Sequence, residues 1–355
     1  MTESVLDALL AAAAGHAGGQ PSEALVTAAN AYFGQVREDA GLVARTALAL
    51  ADVPPMGAAF VAHMLGNVAE VDGQAERAFP ALWTLFVDWA ALLAEGPQPL
   101  DRAARGAAVA QALDLLAPSI VSHLASLPAR RDALRADGVT MPVLEVLQNE
   151  HNGACWILEA LRKNSASLLV LHPATRSGWR ARYENVSLCF HLFSLLQCAV
   201  GTRIEGGREP DAAVAAAATG TGGGPGGTGD GGLVHDQAWW HYGHALAPAR
   251  EIGGSIWGEA TADQIPVVDG HQVIVLWAPI LQGRSWNSSF FTPHLQQMPA
   301  SFTLGEPLAP QECDAWISRL KIEIPAEAPQ PRETTPAAAS VRAETPKAAW
   351  WKFWR

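Results

Sequence analysis

The sequence predicts an α+β fold, in which a helix-rich N-terminal body with one small hairpin precedes a smaller Trp-rich part that contains β-strands. Three observations predict it: apolar residues at helical spacing in the first half, two short β-prone runs between residues 167 and 186, and further short apolar runs after residue 238. The expected segments are 1–210 (body), 211–232 (Ala/Gly-rich flexible linker or long loop), 233–324 (β-containing part with a closing helix) and 325–355 (disordered Pro/Ala-rich tether).

The helical body contains one amphipathic helix, and it is predicted by apolar residues that recur every three or four positions from Phe79 to Ala90. A second stripe, from Leu144 to Leu161, predicts another helix, whereas Pro118 predicts a break or kink in the segment around it. The run 186–201 is apolar on every side, which is typical of a helix buried on all faces. It would be the central helix of the body, with Asn185 as its N-cap.

The Trp-rich part is predicted from four short strand candidates, and two of them are joined by Asp269-Gly270, a favoured hairpin turn. The candidates are WWHYGH, EIGGSIWG, IPVV and HQVIVLW. A helix from Pro310 to about Leu320 closes this part. Residues 219–232 contain nine glycines and are expected to be flexible. If the later strands instead add to the hairpin at 167–186, this glycine-rich segment is a long loop inside one fold.

Charge argues against a nucleic-acid partner. The 355 residues include 24 Lys and Arg against 35 Asp and Glu, a net charge of −11, which opposes the counterion release that drives such binding. The distribution is uneven, because residues 331–355 carry five basic side chains against two acidic ones. The C-terminal segment therefore favours acidic partners or anionic surfaces.

A cytoplasmic location is expected from the N-terminus and from the cysteines. The N-terminal segment has an acidic residue, Glu3, where a signal peptide has a basic region, and no uninterrupted apolar run reaches 18 residues. None of the four cysteines stands in a CxxC pair, so free thiols are expected rather than disulfides or a structural zinc site. We expect no metal and no cofactor.

The segment HDQAWWHYGH is the most enzyme-like feature, because imidazoles are common ligands and general bases. On a strand, however, His241 and His244 would point to opposite faces. The interpretation we prefer is the polar rim of a Trp-rich pocket without catalytic residues. The residues expected to line that pocket are Trp239, Trp240, His241, His244, Trp257 and Trp277.

The chain ends in WWKFWR, an aromatic and cationic peptide on a tether whose Pro-rich composition favours an extended chain. The residues are Trp350, Trp351, Lys352, Phe353, Trp354 and Arg355. Tryptophan is favoured both at protein hot spots and at membrane interfaces. We expect the peptide to bind a partner protein; docking onto the chain's own acidic body and peripheral contact with an anionic membrane are the alternatives.

These features favour a non-catalytic adaptor or regulatory subunit of an intracellular complex. The alternative is an enzyme with a His/Trp-lined pocket around residues 235–286.

Overall fold

A computed structural model describes most of the chain and confirms the α+β class. The described residues are 4–39, 41–94, 100–204, 207, 210–219, 234–235, 240–247, 252–279, 286–287 and 298–324. The chain divides into two compact units, Met1–Leu161 and Arg162–Arg355. Most of the predicted linker and all of the predicted tether, including WWKFWR, lie outside the described residues.

The first unit is built from α-helices. They are α1 (Val5–Ala14), α2 (Glu23–Val36), α3 (Gly41–Ala49), α4 (Pro55–Asp72), α5 (Ala75–Ala94), α6 (Leu100–Ser126), α7 (Pro128–Ala136), α8 (Thr140–Leu147) and α9 (Asn152–Arg162). Side chains fix the first two N-termini: the hydroxyl of Ser4 accepts from the Asp7 amide, and that of Ser22 accepts from the Leu25 amide. Such caps satisfy amide groups that have no partner within the helix.

The amphipathic helix predicted around 79–90 is confirmed as part of α5, whose buried face includes Phe79, Leu82 and Phe86. Helix α6 packs against it and is continuous through Pro118, so of the predicted break or kink the break is wrong. The residues around the proline, among them Leu116 and Ile120, are fully buried, and their packing holds the helix together across the missing hydrogen bond.

Two helices of this unit, α5 and the Ala104–Ser126 part of α6, are long and apolar enough to cross a bilayer. Core helices of folded proteins meet the same criteria, so length and composition do not decide where the protein resides.

The single helix predicted from 144 to 161 is wrong. The structure interrupts it between Leu147 and Asn152, which separates α8 from α9. Gly153, the second residue of α9, brings the start of this helix close to α6, because a Cβ atom there would lie 2.7 Å from the carbonyl oxygen of Leu113. Only glycine permits this approach of α9 to α6, and α9 begins anew at that contact.

The second unit contains a mixed sheet. Its strands are β1 (Asn164–His172), β2 (Ser177–Val186), β4 (His241–His244), β5 (Val267–Val268), β6 (His271–Trp277) and β8 (Ser301–Pro307), while β3 (Val234–His235) pairs with β7 (Trp286–Asn287) in a separate ribbon. The main sheet has the order β4-β6-β1-β2-β8, with β5 beside the start of β6. Strand β1 is antiparallel to β2 and parallel to β6. The predicted hairpin at 167–186 is confirmed as β1–β2.

Helices cover both faces of this sheet. On one face lie α10 (Cys189–Val200) and α11 (Ala212–Thr219), and on the other lies α12 (Pro310–Arg319). Leu168 and Val170 of β1 belong to the α10-side core, whereas Leu169 and Leu171 belong to the α12-side core. All four are fully buried, which is typical of a central strand that needs a neighbour on each side.

The hairpin and the central helix therefore belong with the later strands rather than with the helical body. The second unit begins at Arg162, not after residue 210. The reason is the pairing of β1 with β6 and of β2 with β8, which joins segments from both sides of residues 220–233 in one sheet. The glycine-rich segment thus connects strands and helices of a single unit, the alternative that the sequence left open.

Local sequence signals in this unit have mixed outcomes. The turn between β5 and β6 is confirmed: Asp269 and Gly270 have φ values of 50° and 79°, as a type I′ turn requires. The closing helix is confirmed as α12. EIGGSIWG is not a strand, because its described residues form a short 3₁₀ turn at Ile252–Gly254 and an isolated bridge at Ser255. Asn185 is not the N-cap of α10, since that position is Leu188.

Candidate functional site

The structure does not bring the described tryptophans of the predicted pocket together. Trp240 belongs to the α10-side core and Trp277 to the α12-side core, so the sheet separates them. Trp257 is 46% exposed. Trp239 lies outside the described residues. The expectation of one tryptophan cluster is therefore wrong for these three residues, because strands send successive side chains to opposite faces.

The two histidines of β4 also diverge, as the sequence predicted for a strand. His241 pairs with Trp277 and faces α12, whereas His244 pairs with Ile274 and faces α10. His241 is buried, with Nδ1 lying 3.4 Å from the Ser255 hydroxyl. His244 Nδ1 accepts from two amides of the turn that follows, at 3.2 Å each. Both imidazoles thus have contacts that stabilise the edge of the sheet.

A buried indole lies beside them. Trp277 Nε1 has no hydrogen-bond partner among the described residues, and it rests against Gly243 of the neighbouring strand. A Cβ at Gly243 would lie only 2.9 Å from this nitrogen, so the absence of a side chain there makes room for the ring. The contact explains why glycine interrupts the WWHYGH strand.

A chain of polar groups lies at the carboxyl end of β1, and the sequence analysis did not identify it. His172 ends the strand, Thr175 lies in the 3₁₀ turn that follows, and Ser177 begins β2. The Thr175 hydroxyl lies 2.6 Å from His172 Nδ1 and 2.7 Å from the Ser177 hydroxyl. The residues connect an exposed hydroxyl with a buried imidazole, since Thr175 is exposed and His172 is only 8% exposed.

Backbone geometry creates this arrangement. Arg176, between the two hydroxyl residues, has a φ of 50°, in the left-handed region that non-glycine residues rarely adopt. This turn places Ser177 opposite His172 in the hairpin register. Arg176 itself forms an ion pair with Asp314 of α12 at 3.2 Å, which holds its side chain away from the hydroxyls' hydrogen bonds.

His172 is neutral at physiological pH, because burial lowers its pKa to about 4. It stands at the carboxyl end of β1, beside the parallel neighbour β6. A signal in the sequence was available, namely a histidine that ends an apolar run and precedes two hydroxyl residues within five positions.

Two further buried polar side chains of this unit, Tyr183 and His191, form hydrogen bonds inside the core. The Tyr183 hydroxyl donates to Gln272 Oε1 at 2.6 Å and accepts from Asn164 Nδ2 at 2.8 Å. Burial raises the pKa of this hydroxyl. His191 of α10 donates from Nε2 to the Ala218 carbonyl at 2.7 Å, and burial lowers its pKa to about 3. The first two bonds tie β2 to β6 and to β1, and the third ties α10 to α11.

The cysteines are free thiols, as predicted. Burial raises the pKa of Cys189 and raises that of Cys313 to about 11, so both are protonated at physiological pH. Within the part of the chain that the structure describes, no three His, Cys, Asp or Glu side chains are grouped so that they could hold a metal ion.

Helix α12 is the element from which the C-terminal segment continues. Cys313, Trp316 and Ile317 bury one side of it in the α12-side core, and Ile322 joins the same core beyond its end. Two ion pairs tie its polar side to β2 and the hairpin turn: Arg180 with Glu312 at 2.6 Å, and Arg176 with Asp314. A third joins Arg319 to Asp269 of the β5–β6 turn.

Comparison with known proteins gave no relatives. No family model, no curated protein and no solved structure matches the chain significantly.

Proposed function

We propose that the chain is a non-catalytic adaptor or regulatory subunit of an intracellular complex, and that it engages a partner protein through the C-terminal peptide from Trp350 to Arg355. The observation that carries the proposal is the composition of this peptide, in which four aromatic and two cationic residues are consecutive. Trp and Arg are the residues most enriched at interface hot spots. The two cations suit an acidic groove on the partner.

The residues that precede this peptide support the proposal. Ile322 is 7% exposed and Ile324 packs against the same core, so the last described residues are anchored to α12 and the sheet. Between Ile324 and the first tryptophan lie 25 residues that include five prolines. At about 3.1 Å per residue in an extended Pro-rich chain, they would span roughly 80 Å. An anchored origin and a long spacer suit a peptide that must reach a second protein.

The enzyme alternative receives less support. His244 accepts hydrogen bonds from the backbone of its own turn, and His241 is buried beside Ser255. Side chains held in this way stabilise the fold and are poorly placed to meet a substrate. The proposal includes a cytoplasmic location.

Deletion of residues 349–355 from the full chain tests the proposal. We expect the partner to be lost from affinity purification out of the native cells, with the melting temperature nearly unchanged, because the core residues that the structure describes in the second unit all precede residue 325. After identification by mass spectrometry, the purified partner should bind the truncated chain at least about thirtyfold more weakly, the effect of one hot-spot tryptophan.

A matched control is Trp257→Ala, which removes an exposed tryptophan from the folded unit and should leave binding unchanged. Equal binding of the intact and truncated chains would refute the proposal. Melting many degrees lower after truncation would place the peptide in the core instead. Salt-sensitive binding to vesicles that contain anionic lipid, lost on truncation, would replace the partner protein with a membrane surface.

A further inference from the structure

The hydrogen bonds at the carboxyl end of β1 have a defined direction when His172 Nδ1 accepts a hydrogen bond from the Thr175 hydroxyl. A threonine hydroxyl has a single proton, and Thr175 Oγ1 lies within hydrogen-bond distance of both His172 Nδ1 and Ser177 Oγ. If the Thr175 proton points to His172, Ser177 must donate to Thr175. The arrangement then matches the relation between a nucleophile and its general base, whose heavy atoms lie about 2.6–3.2 Å apart.

We propose that Thr175 is a site of covalent acylation, with Thr175 Oγ1 as the nucleophile, His172 Nδ1 as the base, and an activated ester or thioester as the acyl donor. Thr175 Oγ1 attacks the carbonyl carbon of the donor, and a new O–C bond forms. The bond from that carbon to the leaving oxygen or sulfur breaks, and the leaving group takes the electron pair. The Thr175 proton passes to His172 Nδ1 and then to the leaving group, which departs as an alcohol or thiol.

Exposure and charge at the turn suit this reaction. Thr175 is exposed and can meet a donor, whereas His172 is buried and held in place by the strand. The cation that follows Thr175 in the chain, Arg176, is paired with Asp314, so the pair adds little net charge beside the hydroxyl. Desolvation keeps His172 unprotonated near neutral pH, as a base must be.

The low basicity of His172 also limits the effect. General bases usually accelerate proton transfer by about 10²–10⁴-fold, and they are most effective when their pKa lies near the operating pH. A base whose pKa is about 4 is weaker, so we expect an acceleration of about tenfold. The inference is independent of the C-terminal peptide and of any partner.

The test uses the full chain and p-nitrophenyl acetate near neutral pH, with acetylation at each threonine followed by peptide mass spectrometry. Thr303, exposed on β8, provides an internal control. We expect Thr175 to be acetylated at least about tenfold faster than Thr303, and we expect His172→Gln to reduce its rate to that of Thr303. Acetylation of Thr175 no faster than Thr303 would overturn the proposal, as would an unchanged rate in the His172→Gln variant.

Because His172 is buried, its replacement could prevent folding. Ser177→Ala then carries the test, since it removes only a partly exposed hydroxyl. Without the Ser177 donor, the Thr175 proton is no longer directed towards His172. The acetylation rate of Thr175 should then fall by about threefold or more, which is a smaller change than the loss of the base causes. An unchanged rate in a folded Ser177→Ala chain would show that the hydroxyls are only a turn-stabilising pair and would overturn the proposal.

Discussion

Replacing Trp277 with alanine should lower the free energy of unfolding of the second unit by about 3–5 kcal/mol. The indole is 3% exposed and packs in the α12-side core. Its removal leaves a cavity in that core and also loses buried apolar surface. Urea denaturation followed by circular dichroism measures the change.

Trp257→Ala is the matched control for this experiment. The side chain is the same, but it is 46% exposed, and its truncation should cost less than about 1 kcal/mol. If the two variants lose the same stability, the placement of Trp277 inside the sheet core is wrong. A loss below about 1 kcal/mol at Trp277 would place that residue on the surface.

Acid should destabilise the second unit through two buried histidines. Burial, followed by the positive charge of Lys163, lowers the pKa of His191 to about 3, and burial lowers that of His172 to about 4. Both pKa values lie below the value of about 6.5 in the unfolded chain. The unfolded chain therefore binds protons at these histidines at a pH where the folded chain does not. Stability is present above about pH 6.5 and is lost as the pH falls towards the folded values, by about 3 kcal/mol per histidine between about pH 7 and about pH 4.

The variant His191→Gln separates this effect from other acid-sensitive groups. Glutamine can still donate to the Ala218 carbonyl but does not titrate, so about half of the expected loss between pH 7 and pH 4 should disappear. Asp39 and Asp137, whose hydrogen bonds lower their pKa values, lie in the first unit and are common to both proteins. Equal pH dependence of the two proteins would contradict the burial of His191.

Local signals in the sequence predicted several elements correctly. Asp269-Gly270 supports positive φ at both central positions, which determines the β5–β6 hairpin wherever it lies in the fold. The apolar run of α10 predicted burial on all sides, and ten of its twelve residues are buried. Pro310 begins α12 at the first helical position, where its missing amide costs nothing.

Long-range pairing could not be predicted in the same way. The parallel pairing of β1 with β6 joins residues about a hundred positions apart, and no local pattern specifies such a neighbour. Strand β8 was missed because its exposed edge position leaves a weak apolar pattern. The Thr175–Ser177 contact depends on the left-handed backbone at Arg176, and arginine gives no signal for that conformation.

One sheet joins strands from both sides of residues 220–233. This sheet places β1, its terminal histidine and the start of the C-terminal segment in one unit. Its most direct test is a specific protease site inserted after Gly226, with the cleaved chain examined on a sizing column under native conditions. The pairing of β1 with β6 and of β2 with β8 predicts that the two fragments elute together and separate only in denaturant. Separation of the fragments under native conditions would show two independent domains and would contradict the single sheet.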